Sequence, residues 1–450
     1  MTKHEVNRSR HIAACAAASL LLAASATASA QSGDSVALKT PEDVRMEKMI
    51  NSTHVIAPGG VEIPVDTIRK RLNIFYIDQF RHFQDPRAPY FMLMSKDGQL
   101  AMGVGGMIRM RGNFDWNGSI PVNGFSPYLI PIPKDPTSKR RLWATPAGTG
   151  LFFTILGNNT FIGDFMGFIQ CDFSGYNNRD FKLKKAYLQS DHWTIGYATT
   201  TFEDSSAEPP TIDGAGSNAV NSRTNVLVRY MTTFKDKWTV AGSLEFPSSS
   251  VNADDVYTKT CSDYVPDAAA FVQYKWNGGK SHVRLSGLGR VLTYRDLVDQ
   301  RNYNVFGWAA QLSGVVKVVP QLNLMGIVSV GQGHASYTTD LSIGNYDLIA
   351  RRGDKGRMYA PAIAGFVFGA QYYIKDNLFI NMALSEQRFF PKHNPGDGDY
   401  KYGLYGAWNI FWDITPRFEV GAEYVCGKRM DFNGTHGSAN RASAMFMFSF

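Results

Sequence analysis

The last ten residues, RASAMFMFSF, alternate without a break. Ala442, Ala444, Phe446, Phe448 and Phe450 fall on one side of an extended chain, and Arg441, Ser443, Met445, Met447 and Ser449 on the other, because successive side chains in a strand point to opposite faces. The first face is small and then aromatic and suits an apolar medium. The second carries a charge and two hydroxyls, which are costly to bury without polar partners. A chain that stops on such a strand needs apolar surroundings on one side and a wet space on the other.

Turn clusters recur along the whole chain. Gly157-Asn158-Asn159, Ser190-Asp191-His192, Lys235-Asp236-Lys237, Asn277-Gly278-Gly279, Val319-Pro320-Gln321, Lys375-Asp376-Asn377 and Thr415-Pro416-Arg417 each join two alternating segments. Asn, Gly, Asp and Pro at these places are hairpin chemistry. Longer polar connections lie between them, near 116–147, 203–222, 247–266 and 333–361. Short turn, strand, long loop, strand is the rhythm of an outer-membrane barrel. Counting from VGGMIRMRGNF gives about sixteen strands, an even number that returns the C-terminus to the side where the first strand begins.

A secreted sandwich would also alternate. Two features tell against it. Trp193-Ile195-Tyr197, Val272-Tyr274-Trp276 and Trp408-Ile410-Trp412 put aromatics on the apolar face, as an interfacial girdle does. Sixteen strands in one sheet must also close or split. The expected fold is an all-β transmembrane antiparallel barrel with short periplasmic turns and longer external loops. The terminal phenylalanines then face lipid, and Arg441, Ser443 and Ser449 face the interior.

The N-terminus agrees with export. Lys3, Arg8 and Arg10 precede IAACAAASLLLAASA, and Ala28-Ser29-Ala30 is a small-residue cleavage motif. Residues 1–30 are therefore expected to be a removed signal peptide. The run is shorter than the about 20 apolar residues of a membrane helix. Cys15 opens this run, whereas a lipid-attachment cysteine would close it. The net charge of +7 is too mild over this length for a nucleic-acid partner. Cys171, Cys261 and Cys426, an odd and sparse set, argue against a disulfide scaffold. The mean hydropathy of −0.21 does not exclude a membrane, since barrel strands hide from hydropathy.

Alternation assigns the wet face. With Val104, Ile108 and Met110 facing out, Arg109 and Arg111 face in. Phe181, Leu183 and Tyr187 out place Lys182 and Lys184 in, while Lys185 breaks the pattern. Val226, Val228 and Tyr230 out place Arg223 and Arg229 in; Val283, Leu285 and Val291 out place Arg284 and Arg290 in. Arg429 and Arg441 follow the same logic. These ten bases oppose five inward acids, Asp164, Asp172, Glu245, Glu419 and Glu423. A basic lumen favours anions, although each arginine has an alternative as a brace paired to a wall carboxylate. The loop ATTTFEDSSAEPPTIDGAGSNAV is open to two assignments, an external loop or a constriction whose Glu203, Asp204, Glu208 and Asp213 face the basic wall. The basic loop with Arg351, Arg352, Lys355 and Arg357 is open to three: attracting anions, binding lipopolysaccharide, or plain surface.

The stretches CDFSGYNNRDFKLKKAY, TTTFEDSSAEPPTIDGAGSNAVNSRTNVLVRY, PDAAAFVQYKWNGGKSHVRLSGLGR, FGWAAQLSG, GQGHASYTTDL and EYVCGKRMDFNGTHGSANRASAMFMFSF resemble, in order, the DcaP-like porins. The resemblance spans roughly 100–450. It implies trimeric outer-membrane channels for small anionic solutes, especially dicarboxylic acids. Matching basic positions are Lys184 and Lys185 before Ala186-Tyr187, Arg229, Arg290, Arg429 and Arg441. Lys184 stands where the family often has Arg, a point charge in place of a bidentate fork, which bears on carboxylate selectivity. The family's N-terminal coiled coil is also reduced.

Residues 31–99 are expected to be a periplasmic segment and 100–450 the barrel. TPEDVRMEKMI has Thr40 as cap, Pro41 at the first position and Asp43 as box partner, and no heptads follow it. RLNIFYIDQF and APYFMLM are expected to be extended. The segment is open to three roles: cap, trimer-contact arm or plug. No metal-ligand spacing or cofactor motif occurs. An enzyme is not expected: His192, His282, His334 and His393 have no partner at an informative spacing, and Glu419 and Glu423 lie about 13 Å apart along a strand. The alternative to an anion channel is a surface receptor or adhesin that uses the barrel as a scaffold. Expected partners are small anionic solutes, outer-membrane lipid and two further copies of the chain.

Overall fold

Sixteen strands, each antiparallel to its neighbours, close into one barrel. The computed structural model describes residues 39–57, 64–77, 80–83, 85, 88–118, 120, 122–160, 163–175, 180–393 and 395–450. The signal peptide expected over 1–30 lies outside the described residues. In chain order the strands are β1 (Leu100–Trp116), β2 (Arg140–Thr145 and Gly150–Thr160), β3 (Gly163–Asp172), β4 (Lys182–Ser190), β5 (Trp193–Thr199) and β6 (Thr224–Phe234). There follow β7 (Trp238–Glu245), β8 (Thr258–Thr260 and Asp267–Trp276), β9 (Ser281–Asp296), β10 (Arg301–Val319) and β11 (Leu322–Gln332). The last are β12 (Ala362–Lys375), β13 (Leu378–Phe390), β14 (Tyr400–Thr415), β15 (Phe418–Asp431) and β16 (His436–Ser449).

Closure is made between β16 and β1. Arg441 lies opposite Asp115, Ser443 opposite Asn113, Met445 opposite Arg111 and Met447 opposite Arg109. Ser443 donates to Asn113 Oδ1 at 2.8 Å. Phe450 ends the seam by exchanging backbone hydrogen bonds of 2.8 and 2.9 Å with Gly106. A Cβ on Gly106 would stand 2.6 Å from the Gly150 carbonyl oxygen and 2.8 Å from the Phe450 ring, so this approach needs a residue without a side chain.

The outer face is apolar, as alternation predicts. Val104, Ile108, Met110, Leu285, Phe446 and Phe448 are exposed there. Trp193 packs on Tyr230 at 5.0 Å and Trp238 on Tyr274 at 4.9 Å near the tight-turn end. Trp116 and Trp408 stack on Tyr424 at 5.8 and 6.0 Å at a second level. Six of the expected turns fall between strands. The exception is Gly157-Asn158-Asn159, which lies within β2 beside a register shift.

Residues before the barrel dock at its tight-turn end. Helix α1 (Pro41–Asn51) has the capping box expected from Thr40 and Asp43. It spans the mouth, with Lys317 Nζ 2.8 Å from Glu42 on one side and Arg45 Nε 2.5 Å from Asp413 on the other. Helix α2 (Val65–Ile77) corrects an expectation: RLNIFYI was expected to be extended and is helical. Ile68 and Leu72, four apart, share one helical face, and both join a cluster with Met92, Met94, Phe152 and Phe168 on the inner wall. Phe91–Met94 is extended as expected, pairing with β1 just below the C-terminus and with His54–Ile56 on its far side.

A cation on the outer band tests the lipid-facing assignment. Leu285→Arg is expected to lower stability by about 2–4 kcal/mol if it lies near the midplane, relative to Leu285→Ala. Denaturant unfolding of barrels reconstituted in lipid vesicles measures this; equal midpoints for the two variants would place β9 outside the membrane.

Candidate functional site: the charged constriction of the lumen

Sixteen strands lead one to expect an open aqueous lumen. Much of it is filled by loops that turn inward. Ile120, Phe125 and Ile130 from the first long loop, Phe202 and Ile212 from the third, and Tyr337 and Leu341 from the sixth are all buried. The third loop, residues 200–223 between β5 and β6, carries the acids singled out in the sequence. It takes the inward assignment.

Wall carboxylates hold this loop by its backbone. Glu245 accepts from Thr200 Oγ1 at 2.8 Å and from the Thr201 N–H at 3.0 Å. On the far wall Glu423 accepts from the Ile212 and Asp213 N–H groups, both at 2.7 Å. The Ile212 carbonyl in turn accepts from Arg109 at 2.9 Å and Arg111 at 2.8 Å. The Ile212 side chain sits among Met107, Met445 and Met447. The methionines of the terminal strand therefore pack against a loop tip, where water was expected.

The ten predicted bases divide by what they touch. Arg441 forms a two-pronged bridge to Asp115 at 2.7 and 3.2 Å and lies 3.6 Å from Asp213. Arg284 donates to the Glu203 carbonyl at 2.7 Å, with Asp204 3.6 Å away. Arg290 meets Asp267 at 3.0 Å and Asp347 at 3.1 Å, with the Gly333 and Ser248 carbonyls at 2.9 and 2.8 Å. Arg429 is held by Asp431 at 2.8 Å and the Tyr128 carbonyl at 2.7 Å. Arg223 donates to Ser336 at 2.8 Å, and Arg229 lies 3.7 Å over the Phe80 ring. Lys182 is exposed at the end of β4, opposite Asp172. Five inward acids was too low a count: Asp115, Asp267, Asp413 and Asp431 also face in and are buried, each at or near a strand end where the alternation had not been carried.

A cavity of about 220 Å³ remains between the third loop and the wall of β1, β3 and β4. Arg109, Lys184 and Lys185 line it from the wall, and Glu203, Glu208 and Asp213 from the loop. Lys184 lies 3.6 Å from Asp172. Lys185 enters because β4 carries a bulge: Gln170 pairs with Lys185 but Cys171 with Leu183, leaving Lys184 as the extra residue. The bulge also corrects Tyr187, expected outside; it packs inward on Phe168 at 5.5 Å. Two residues absent from the sequence expectation complete the site: His82, 2.9 Å from Glu208, and Asp85, 2.5 Å from Lys185. Their only signal was a short polar and charged run, RHFQDPR, between two apolar stretches.

Electrostatics on the loop follow from burial and partners. Burial, with Glu208 nearby, raises the Glu203 carboxyl to about 7. Burial acts on Asp204 in the same direction, but Arg284 and His282 outweigh it and hold that carboxyl well below the usual range. His82 is disfavoured as a cation by burial, yet Glu208 and Asp85 reverse the balance and raise it. On the basic loop, Arg351 meets Asp354 at 3.3 Å, Arg352 meets Asp399 at 3.2 Å and Arg357 meets Asp299 at 3.0 Å. That loop is a paired surface, not an open basic patch.

A closed sixteen-stranded barrel with an apolar outer band and a charged, loop-narrowed interior is a porin-type channel of an outer membrane. The DcaP outer membrane protein model matches residues 94–450, and the chain belongs to that family, whose members are channels and not enzymes. The crystal structure of the outer membrane channel DcaP of Acinetobacter baumannii is similar in fold, with a TM-score of 0.67 at 20% identity over 79% of this chain and 99% of that one. An anion-selective porin from Comamonas acidovorans superposes with a TM-score of 0.51 at 10% identity, over 78% of this chain and 100% of that one. No curated protein matches the chain.

Two measurements test the site. Arg441→Ala leaves Asp115 and Asp213 buried without their cation, and a loss of about 3–5 kcal/mol is expected in denaturant unfolding; an unchanged midpoint would mean that the seam bridge is dispensable. A carboxyl raised to about 7 gains its proton as pH falls through that value, removing one negative charge from the loop. Anion preference should therefore rise between about pH 8 and pH 6, and Glu203→Gln should flatten the profile. His82, whose cation Glu208 favours, is protonated in the same direction and adds to the slope.

Proposed function

We propose that the chain is a passive outer-membrane diffusion channel preferring small anionic solutes, dicarboxylic acids foremost. It works as a homotrimer after removal of residues 1–30, with 31–99 on the periplasmic side and 100–450 as the barrel. One observation carries this reading: Arg109, Lys184 and Lys185 line one side of the lumenal cavity while Glu203, Glu208 and Asp213 line the other. Oppositely charged walls set up a transverse field, and cations at a narrow point concentrate anions. A solute with two carboxylates meets cations spaced along β1 and β4. The remaining arginines act at one remove, holding the loop that narrows the pore.

Long loops that turn into the lumen support a channel over a receptor scaffold. Their apolar residues are spent on the interior, and less of each loop is left to project outward.

The test is the reversal potential of the purified protein in a planar bilayer under a KCl gradient, with and without succinate. An anion-selective current that succinate blocks is the expected result. Replacing Arg109 and Lys184 together by Ala should move the potential toward cation preference. A large, unselective conductance in the unmodified protein would overturn the anion assignment.

A further inference from the structure

We propose that residues 80–83 and Asp85 belong to a tethered plug whose Asp85 carboxylate occupies Lys185, the cation that a solute carboxylate would take. The segment crosses the lumen under the third loop. Phe80 is buried against Ala241 and Phe271 on the β7–β8 wall, beneath the Arg229 guanidinium at 3.7 Å. Three residues on, Phe83 packs against Phe379 and Phe411 of β13 and β14 at 6.1 and 5.2 Å. One short stretch therefore touches nearly opposite sides of the barrel.

Its polar anchors are the groups expected to handle solute. Asp85 Oδ2 lies 2.5 Å from Lys185 Nζ. Lys185 also donates to the Phe80 carbonyl at 3.4 Å. The same Asp85 oxygen accepts from the His82 N–H at 3.0 Å, and the Asp85 N–H donates to the His82 carbonyl at 2.9 Å, so a local turn fixes the carboxylate. From the loop side Glu208 meets His82 at 2.9 Å, and Ser205 donates to the Phe80 carbonyl at 3.3 Å. In chemical terms the turn presents a carboxylate to Lys185 much as one end of a dicarboxylate would.

Lys185 and Asp85 are both mostly buried, and their mutual contact satisfies two charges that would be costly to leave alone. A free carboxylate arriving at Lys185 replaces Asp85 without leaving the lysine bare. Displacement of Asp85 breaks no barrel-strand pairing, since residues 80–83 and 85 are held by the ring contacts of Phe80 and Phe83, by Arg81 over Phe168 at 5.3 Å and by polar contacts with Lys185, Ser205 and Glu208. Solute binding at Lys185 is then an exchange of one carboxylate for another. No bond is made or broken.

This rests on the anion-channel function, and the experiment separates the two. Single-channel recording compares the full-length protein with Asp85→Asn and with the combined Phe80→Ala, His82→Ala, Asp85→Asn variant. None of these residues belongs to a barrel strand, and heat-modifiable migration on gels checks that each barrel has closed. Both variants are expected to conduct more in the absence of solute. A tethered competitor lowers apparent affinity by the fraction of time it occupies the site, so the half-blocking succinate concentration should fall, by about tenfold for a plug seated nine-tenths of the time. Variants matching the parent in both conductance and succinate block, in an anion-selective channel, would overturn the plug and leave the function standing. A parent channel without anion preference or succinate block would overturn the function and, with it, the carboxylate exchange.

Discussion

The barrel depends on closing its sheet inside lipid. No water is available there to satisfy an open strand edge, so every backbone N–H and C=O must find a partner within the protein. The β16–β1 seam meets this demand with ten register pairs from Asn440 to Ser449. On its inner side Arg441 and Asp115 face each other across the seam and are both buried. The last strand thus does three things: it closes the hydrogen-bond circuit, offers phenylalanines to lipid, and bridges the joint with charge. Below Phe450, where β1 continues without β16, Phe91–Met94 takes up the pairing.

From that seam the interior is organised inward. Arg109 and Arg111, next along the same face of β1, hold the Ile212 carbonyl, and Glu423 of β15 holds the neighbouring N–H groups. The tip of the third loop is therefore held by β1, one of the two strands of the seam, and by the nearby β15. The loop's outer half is set by Arg284, which joins the wall to the Glu203 carbonyl. Charge in this lumen divides between structure and traffic. Arg284, Arg290 and Arg441 are consumed by carboxylates and carbonyls, while Arg109, Lys184 and Lys185 border the remaining space. An excess of bases in the sequence overstated the free positive charge, because acids near strand ends and on inward loops, such as Asp115 and Asp347, answer most of it.

Much of the fold was legible because a barrel wall is a local code. Period-two alternation decides in and out one residue at a time, and hairpin turns announce strand ends. Those signals placed the sixteen strands, the outward Val226 and Val228 and the inward Arg229 and Glu245. The α1 cap was legible for the same reason, since Thr40 and Asp43 act on each other across one turn. Where locality failed, so did the expectation. A bulge at Lys184 shifts the phase of β4, so Lys185 and Tyr187 turn inward although alternation from Phe181 sends them out. RLNIFYI looked extended because its apolar residues are dense, and only the contact of Leu72 with the inner wall shows which face is used.

The sequence by itself determined most of the wall: strand number, facing outside the β4 bulge, six of the seven expected turns and the identity of the charges available. Each follows from interactions within a few residues, or from the medium that the outer face must meet. Tertiary structure alone decided which of those charges are free. Whether Arg290 is a brace or an open cation depends on Asp347, a residue of a distant loop. Whether Lys185 is empty or occupied depends on Asp85, a hundred positions earlier in the chain. Pairings over such separations leave no periodic trace, because they are set by how the loops and the N-terminal segment fill the space that the strands enclose.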